Sequence, residues 1–405
     1  MNFFHLITQL ETGFLIQDFA VVMIVAAIMV FVTHKLKQPM VIGYILAGML
    51  IGPFTPPFSL VHNVGTINTL AELGIIILLF VIGTEFPITK LKSVGRISMI
   101  VGIAESVGTL LVTFFVARTL GFSQFDSMFL ALAMSVTSTV VTVKLLEELN
   151  MINDKSSVLI MGILIVEDVI VITMLGILQS LSLTAAVSFV DVLLSVAIVL
   201  GFIAAILILG SRYLPPLIDK LARTTDYSVL IIVILGLAFG LSFVAIELGL
   251  SPVIGAFLAG VLVAESNSAG IARVITIPLR DVFTALFFVS VGALVDVSKI
   301  PLFIIPALIL IVTSFMAKMI IITPVLIRAG YDTTTAVRTG LGLASARGEM
   351  SLIVGKGGQD VGAVSSYILP ILGVVTIVTT FATPYILKIG TKLNISSSPS
   401  EDNKS

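Results

Sequence analysis

Glu167 and Asp168 stand side by side in LIVEDVIVI, with apolar residues on both flanks. Burying a carboxylate at the centre of a bilayer costs about 2.5–3.5 kcal/mol on insertion scales, so such residues persist where they face a cavity or a partner. Neighbours on a helix point about 100° apart, which gives the two acids different surroundings. One of them can face a water-filled site and trade a proton for a cation, while the other faces an adjoining helix. Lys318, in FMAKMIII, is a third intramembrane charge and the natural partner for one of the acids. Hydroxyls that could add neutral oxygen ligands come from Thr137, Ser138 and Thr139 in SVTSTVVT (135–142). Arg347 and Glu349, in ASARGEMS (344–351), can neutralise exposed helix ends, and for this pair a scaffold role competes with ion binding. The chemistry expected is competition of a metal cation and a proton for one of the two acids, Glu167 or Asp168, with Lys318, Arg347 and Glu349 as charges that can compensate. The plainer alternative is a structural ion pair between the acids and Lys318.

The elements that must position these residues are membrane helices. Of 405 residues 58% are hydrophobic and 11% charged, against about a quarter charged in a soluble domain; the mean hydropathy is +1.19. A helix of roughly 20 apolar residues spans a bilayer, and the pattern predicts an all-α polytopic protein of about thirteen spans. They fall near 14–33, 40–52, 70–86, 97–119, 127–147, 156–180, 188–210, 227–249, 252–265, 277–295, 302–327, 336–358 and 367–389. The segments lack the alternation of a membrane barrel. Lys and Arg concentrate in the odd loops (Lys35, Lys37, Lys90, Lys92, Arg96, Lys155, Arg212, Lys220, Arg223, Arg273, Arg328), while Arg118 and Lys299 are the clear cases in even ones. The odd loops are therefore read as cytoplasmic, with the N-terminus outside and the C-terminus inside.

Two pairs of segments resemble each other at one offset. PMVIGYILAG (39–48) matches SPVIGAFLAG (251–260), and LLFVIG (78–83) matches LFFVSVG (286–292), about 210 residues apart in each case. Seven spans of separation make equivalent helices cross in opposite directions, an inverted-topology repeat of the kind secondary transporters use. Repeat one then covers about 14–180, a linker helix about 188–210, and repeat two about 227–389, in a transmembrane domain of residues 1–390. The same offset pairs span five with span twelve, and both carry the polar stretches quoted above. Two broken, crossing helices are expected there, since freed backbone groups at membrane depth need hydroxyls, water or an ion; back-bonding of Ser and Thr within intact helices is the alternative.

Other functions are disfavoured by composition. The net charge of −1 gives no field for nucleic acid, there is no Cys, and His5, His34 and His62 do not cluster at metal-ligand spacing. With neither a nucleophile–base constellation nor a cofactor motif, an enzyme is not expected and no cofactor is assigned. Residues 391–405 read as a short polar cytoplasmic tail, too short for a βαβ unit of roughly 30 residues, so no C-terminal nucleotide-binding domain is expected.

These residues also carry a resemblance. LKQPMVIGYILAGMLIGP (36–53), AELGIIILLFVIGTEF (71–86), SVTSTVV (135–141), VEDV (166–169), SPVIGAFLAGVLVAES (251–266), LFFVSVGALVD (286–296) and ARGEMS (346–351) together resemble the membrane domain of the second monovalent cation:proton antiporter family, which includes Kef-type potassium efflux systems and bacterial sodium/proton exchangers. The resemblance implies Na⁺ or K⁺ exchanged for H⁺ by alternating access in the cell membrane, and a homodimer. It sets Asp168 on the ion-carrying aspartate and Lys318 on the buried lysine that pairs with the preceding position. Glu167 departs from the Gln–Asp of Kef systems and the Asp–Asp of electrogenic sodium exchangers; keeping two acids suggests the latter group. The alternatives are a proton-independent channel or uniporter gated by a separate regulatory subunit, and an organic-ion transporter of related fold.

Overall fold

The computed structural model describes residues 3–36, 38–54, 60–61, 64–84, 95–149, 151, 154–183, 189–223, 227–248, 250, 252–295 and 300–392. Expectations on Lys37, His62, Lys90, Lys92, Lys299 and the tail from 393 onward lie outside the described residues. Within them the chain is helical, without a strand. The first half comprises α1 (Phe3–Lys35), α2 (Met40–Ile51), α3 (Val64–Gly83), α4 (Arg96–Thr119), α5 (Gln124–Ser135), α6 (Thr139–Glu148) and α7 (Lys155–Leu183). Next comes α8 (Phe189–Ala205), continued by a π-helical turn (Ile206–Gly210) into α9 (Ser211–Ala222). The second half holds α10 (Tyr227–Glu247), α11 (Pro252–Ala264), α12 (Ala269–Ala293), α13 (Ile300–Arg328), α14 (Thr333–Ser345), α15 (Glu349–Asp360) and α16 (Ile368–Lys392).

Nine helical stretches among the described residues are long and apolar enough to cross a membrane, and the chain is a multi-pass membrane protein. The other expected spans take different forms. α2 and α11 are short apolar helices of 12 and 13 residues. Spans 127–147 and 336–358 each divide into two half-helices, α5/α6 and α14/α15. The predicted span 188–210 runs further, to Ala222: the π turn carries the helix onward into a segment whose Arg212, Asp219 and Lys220 make it amphipathic. Asp219 anchors that segment by accepting from Asn267 Nδ2 at 2.8 Å and the Ser268 amide at 2.9 Å.

Lipid gives little hydrophobic drive between helices, so close backbone approach through small residues matters most. The two pairs of resembling segments meet reciprocally in this way. Gly48 of α2 lies against the backbone of Val289 and Gly292 in α12, and Gly83 of α3 lies against Phe257 and Gly260 in α11. Each short helix therefore crosses the long helix of the other half at a pair of glycines. A Cβ on any of these four would overlap backbone atoms, which a rotamer change cannot relieve. A second body of packing sets α13 against α4 and α14, and α7 against α4, α5 and α14, around the two broken helices.

Candidate ion site

Each broken helix starts at a side-chain cap. Ser123 accepts from the Asp126 amide at 3.1 Å to open α5, and Asp332 accepts from the Thr335 amide at 2.9 Å to open α14. That donation holds the Asp332 carboxyl below the usual carboxylate range. Each then stops in extended backbone, at Val136 (φ −93°, ψ 143°) and at Ala346 (φ −103°, ψ 131°). The extended segments cross, and Ser138 N donates to Ala346 O at 3.1 Å. Gly348 is required at this crossing, because a Cβ there would fall on the Ser138 side chain.

A helix that ends at membrane depth leaves carbonyls and amides without intrahelical partners, and each segment supplies partners for the other. Thr137 Oγ1 donates to Leu343 O near the end of α14 at 2.6 Å, while Ser351 Oγ donates to Ala133 O near the end of α5 at 2.6 Å. Arg347 Nη1 donates to Ala346 O at 3.1 Å and Ala344 O at 3.4 Å, and its Nη2 to Ser314 Oγ at 3.1 Å. A cation thus sits at the negative end of α14, as an acid, Glu349, sits in the first turn of α15. The Thr137 amide donates to Glu167 Oε2 at 2.7 Å, and the Arg347 amide to Thr379 Oγ1 at 3.0 Å.

The intramembrane charges sort into two groups. Lys318, Glu167 and Glu105 are all fully buried, and Lys318 Nζ lies 2.9 Å from Glu167 Oε1 and 3.0 Å from Glu105 Oε2. The ammonium also donates to Thr137 Oγ1 at 2.8 Å. Asp168 points elsewhere, as its 100° offset requires. It lines a cavity of about 780 Å³ together with Thr139 and Glu349. Thr139 Oγ1 donates to Asp168 Oδ2 at 3.0 Å, and Ser138 Oγ to Glu349 Oε2 at 2.8 Å. Glu167, Thr137 and Ser138 do not line that cavity. It opens past Tyr44, Val81 and Leu145 toward His34, Gln38, Lys388 and the Arg280–Asp281 ion pair (2.9 Å). Carboxylates and hydroxyls at its floor form an all-oxygen surface suited to a hard cation. Among the described residues no group of three His, Cys, Asp or Glu side chains gathers as a metal site.

Several contributors escaped the sequence reading. Glu105 had no assigned role, although it is an acid as deep in an apolar run as Glu167. The threonines of α16 were missed too. Thr376, Thr379, Thr380 and Thr383 are all buried, and Thr380 Oγ1 donates to Arg347 O at 3.1 Å. Their i, i+3, i+4, i+7 spacing in TIVTTFAT was a legible polar stripe on one helix face. Arg280 and Asp281, at the cavity mouth, were likewise passed over.

Residues 20–391 match the family described as sodium/hydrogen exchanger, transmembrane. The chain is 32% identical over 68% of its length to a putative cation/proton antiporter, YbaL, of Escherichia coli, of which it spans half. It is 30% identical to the ammonium/H⁺ antiporter subunit AmhT of Alkalihalophilus pseudofirmus, over 80% of this chain and 81% of that one. Identity to the K⁺/H⁺ antiporter subunit KhtU of Bacillus subtilis is 26%, over 92% and 93%. Among solved structures, the sodium proton antiporter MjNhaP1 of Methanocaldococcus jannaschii superposes with a TM-score of 0.73 at 16% identity, covering 95% of this chain and 99% of that one, a likeness of fold.

Proposed function

The chain belongs to the transmembrane sodium/hydrogen exchanger family, and we propose that it exchanges a monovalent cation, Na⁺ or K⁺, for protons by alternating access, with Asp168 as the shared site. The observation that carries this reading is the pairing of Asp168 with Thr139 at the floor of the 780 Å³ cavity, beside two crossed broken helices. A proton on Asp168 and a cation held by its carboxylate and nearby hydroxyls satisfy the same negative charge. They compete, and that competition couples the two fluxes. Thr139 is the nearest neutral ligand. Glu167, Thr137 and Lys318 act one step back, holding the break of α5/α6 in shape. The reciprocal glycine contacts between the two halves support an inverted repeat, whose rocking would expose Asp168 to one side at a time.

The wider reading is a homodimer in the plasma membrane with its C-terminus in the cytoplasm. A separate regulatory subunit is in keeping with two relatives whose names describe them as antiporter subunits.

The test is flux in proteoliposomes. Each of Na⁺, K⁺, Li⁺ and NH₄⁺ is added to vesicles carrying an imposed pH gradient, and the internal pH is followed. At least one cation should collapse the gradient, and Asp168→Asn should abolish this while eluting as a folded protein in detergent. Cation flux that proceeds equally without any pH gradient would replace the antiporter by a channel or uniporter. Full exchange in the Asp168→Asn protein would remove Asp168 from the mechanism.

A further inference from the structure

Glu105 is a fully buried carboxylate that the exchange chemistry does not use, and it touches the lysine that could have joined that chemistry. A lysine ammonium has three N–H donors. Lys318 donates to Thr137 Oγ1 at 2.8 Å and to Glu167 Oε1 at 2.9 Å, and its ammonium forms an ion pair with Glu105 Oε2 at 3.0 Å. Thr137 gives its own proton to Leu343 O at 2.6 Å, so its oxygen is free to accept from the lysine. Ser106 Oγ donates to the other Glu105 oxygen at 3.0 Å and holds the carboxylate in place.

Among the described residues the charged groups facing this cluster come from four elements. α4 contributes Glu105, α7 contributes Glu167, α13 contributes Lys318, and the α14/α15 break contributes Arg347, which is close enough to feel both acids. Two anions and two cations sum to zero. Arg347 is fixed by its donations to Ala344 O, Ala346 O and Ser314 Oγ. A fully buried cluster of this size tolerates a net charge poorly, and two acids facing two bases can reach neutrality among themselves. Removing a proton from Lys318 would leave a net negative charge in a fully buried space. Asp168 and Glu349 line the cavity instead. Glu349 has the Ser138 hydroxyl and the N-terminal turn of α15 as standing partners.

On the exchange reading above, we infer that Glu105 is a positioning residue that fixes Lys318 as a permanent cation, so that protonation changes at Asp168 alone and transport is electroneutral. One cation enters the Asp168 carboxylate as one proton leaves it, and the return step moves one proton and no net charge. The two adjacent acids had suggested an electrogenic exchanger; the third acid changes that assignment.

The experiment uses the intact chain in proteoliposomes with the membrane potential set by an ionophore for an ion the protein does not carry. At equilibrium, a cycle that moves one net charge shifts the cation gradient it sustains about fiftyfold per 100 mV. The expected shift is none, with no steady current during exchange. A gradient that follows the potential overturns the inference while leaving the antiport reading in place; absence of exchange with every cation removes both. Glu105→Gln is the second arm. It leaves Lys318 and Arg347 facing Glu167 alone, a net positive cluster, so Lys318 gains reason to release its proton and exchange should begin to carry charge. Electroneutral exchange at wild-type rate in that variant would show that Glu105 is not the lock. Should the variant fail to elute as a folded protein, the wild-type potential measurement still decides the stoichiometry, and Glu105→Asp, which keeps the charge, should behave as wild type.

Discussion

Single charges in this protein are interpretable only with their neighbours. Lys318→Gln alone leaves Glu105 and Glu167 together in a sealed space with Arg347 as their remaining cation. Breaking a buried pair from one side costs roughly 3–5 kcal/mol, so this variant should show a large loss of thermal stability in detergent. Lys318→Gln combined with Glu105→Gln keeps the cluster neutral and should recover much of that loss. Equal stability of the single and double variants would mean that the two side chains do not interact. The sequence made Glu167, Asp168 and Lys318 legible, because an ionisable residue inside an apolar run is conspicuous wherever it falls. The expected pairing of Lys318 with Glu167 is present at 2.9 Å, whereas Glu105 was given no role. Which carboxylate reaches a lysine depends on how α4, α7 and α13 are rotated about their axes, and hydropathy carries no information on rotation when all faces of a helix are apolar. The threonine stripe of α16 shows the opposite case, a rotation written in the spacing but overlooked because threonine is common in membrane helices.

At the scale of elements, the interruptions in α5/α6 and α14/α15 were readable as polar stretches, while their crossing was not. The crossing depends on Gly348 lying against Ser138 and on the bond from Ser138 N to Ala346 O, contacts across some 210 positions of chain. The caps that begin the half-helices give a cleaner test of the elements themselves. Asp332 accepts the Thr335 amide and has its carboxyl held below the ordinary carboxylate range by that bond. A depressed folded value means that the cap's contribution is present above the unfolded value and is lost as pH falls through the folded one. Asp332→Ala should therefore lower stability by about 1 kcal/mol at neutral pH. The gap from wild type should close as the medium is acidified below the usual carboxylate range, read as melting temperature against pH. A constant gap down to that pH would show that the charge of Asp332 has no part in the cap. Close helix contacts offer a second test. Gly83→Ala places a methyl on the Phe257 backbone, and overpacking of this kind costs typically 1–3 kcal/mol. The folded yield should fall, whereas Gly95→Ala, with open space around it, should leave yield unchanged.

The molecule as a whole presents Asp168 to one side. The cavity runs from that carboxylate to His34, Gln38, Arg280, Asp281 and Lys388. On the topology proposed above this end faces the cytoplasm, where His34 and Lys35 close α1 and Lys392 closes α16. Dense packing seals the other approach. There Phe129 and Leu132 of α5 and Leu369 and Leu372 of α16 are fully or almost fully buried. Asp126 ties the start of α5 to the segment before α16 by accepting from Ser365 N at 2.7 Å and Ser365 Oγ at 2.8 Å. On that proposal the shape is inward-open, one half of the proposed alternating-access cycle, and the orientation can be measured directly because the chain contains no cysteine. Val141 lines the cavity two residues beyond Thr139. A Val141→Cys protein should react with a membrane-impermeant thiol reagent applied to inside-out vesicles and resist the same reagent on right-side-out vesicles. A transported cation should slow the reaction, because occupancy of Asp168 permits the shape to change and turns the cavity away. The Asp168→Asn background should remove that protection while leaving the labelling itself intact, which separates access to the cavity from binding at its floor. Labelling confined to right-side-out vesicles would reverse the assigned topology, and protection that survives Asp168→Asn would place the cation elsewhere.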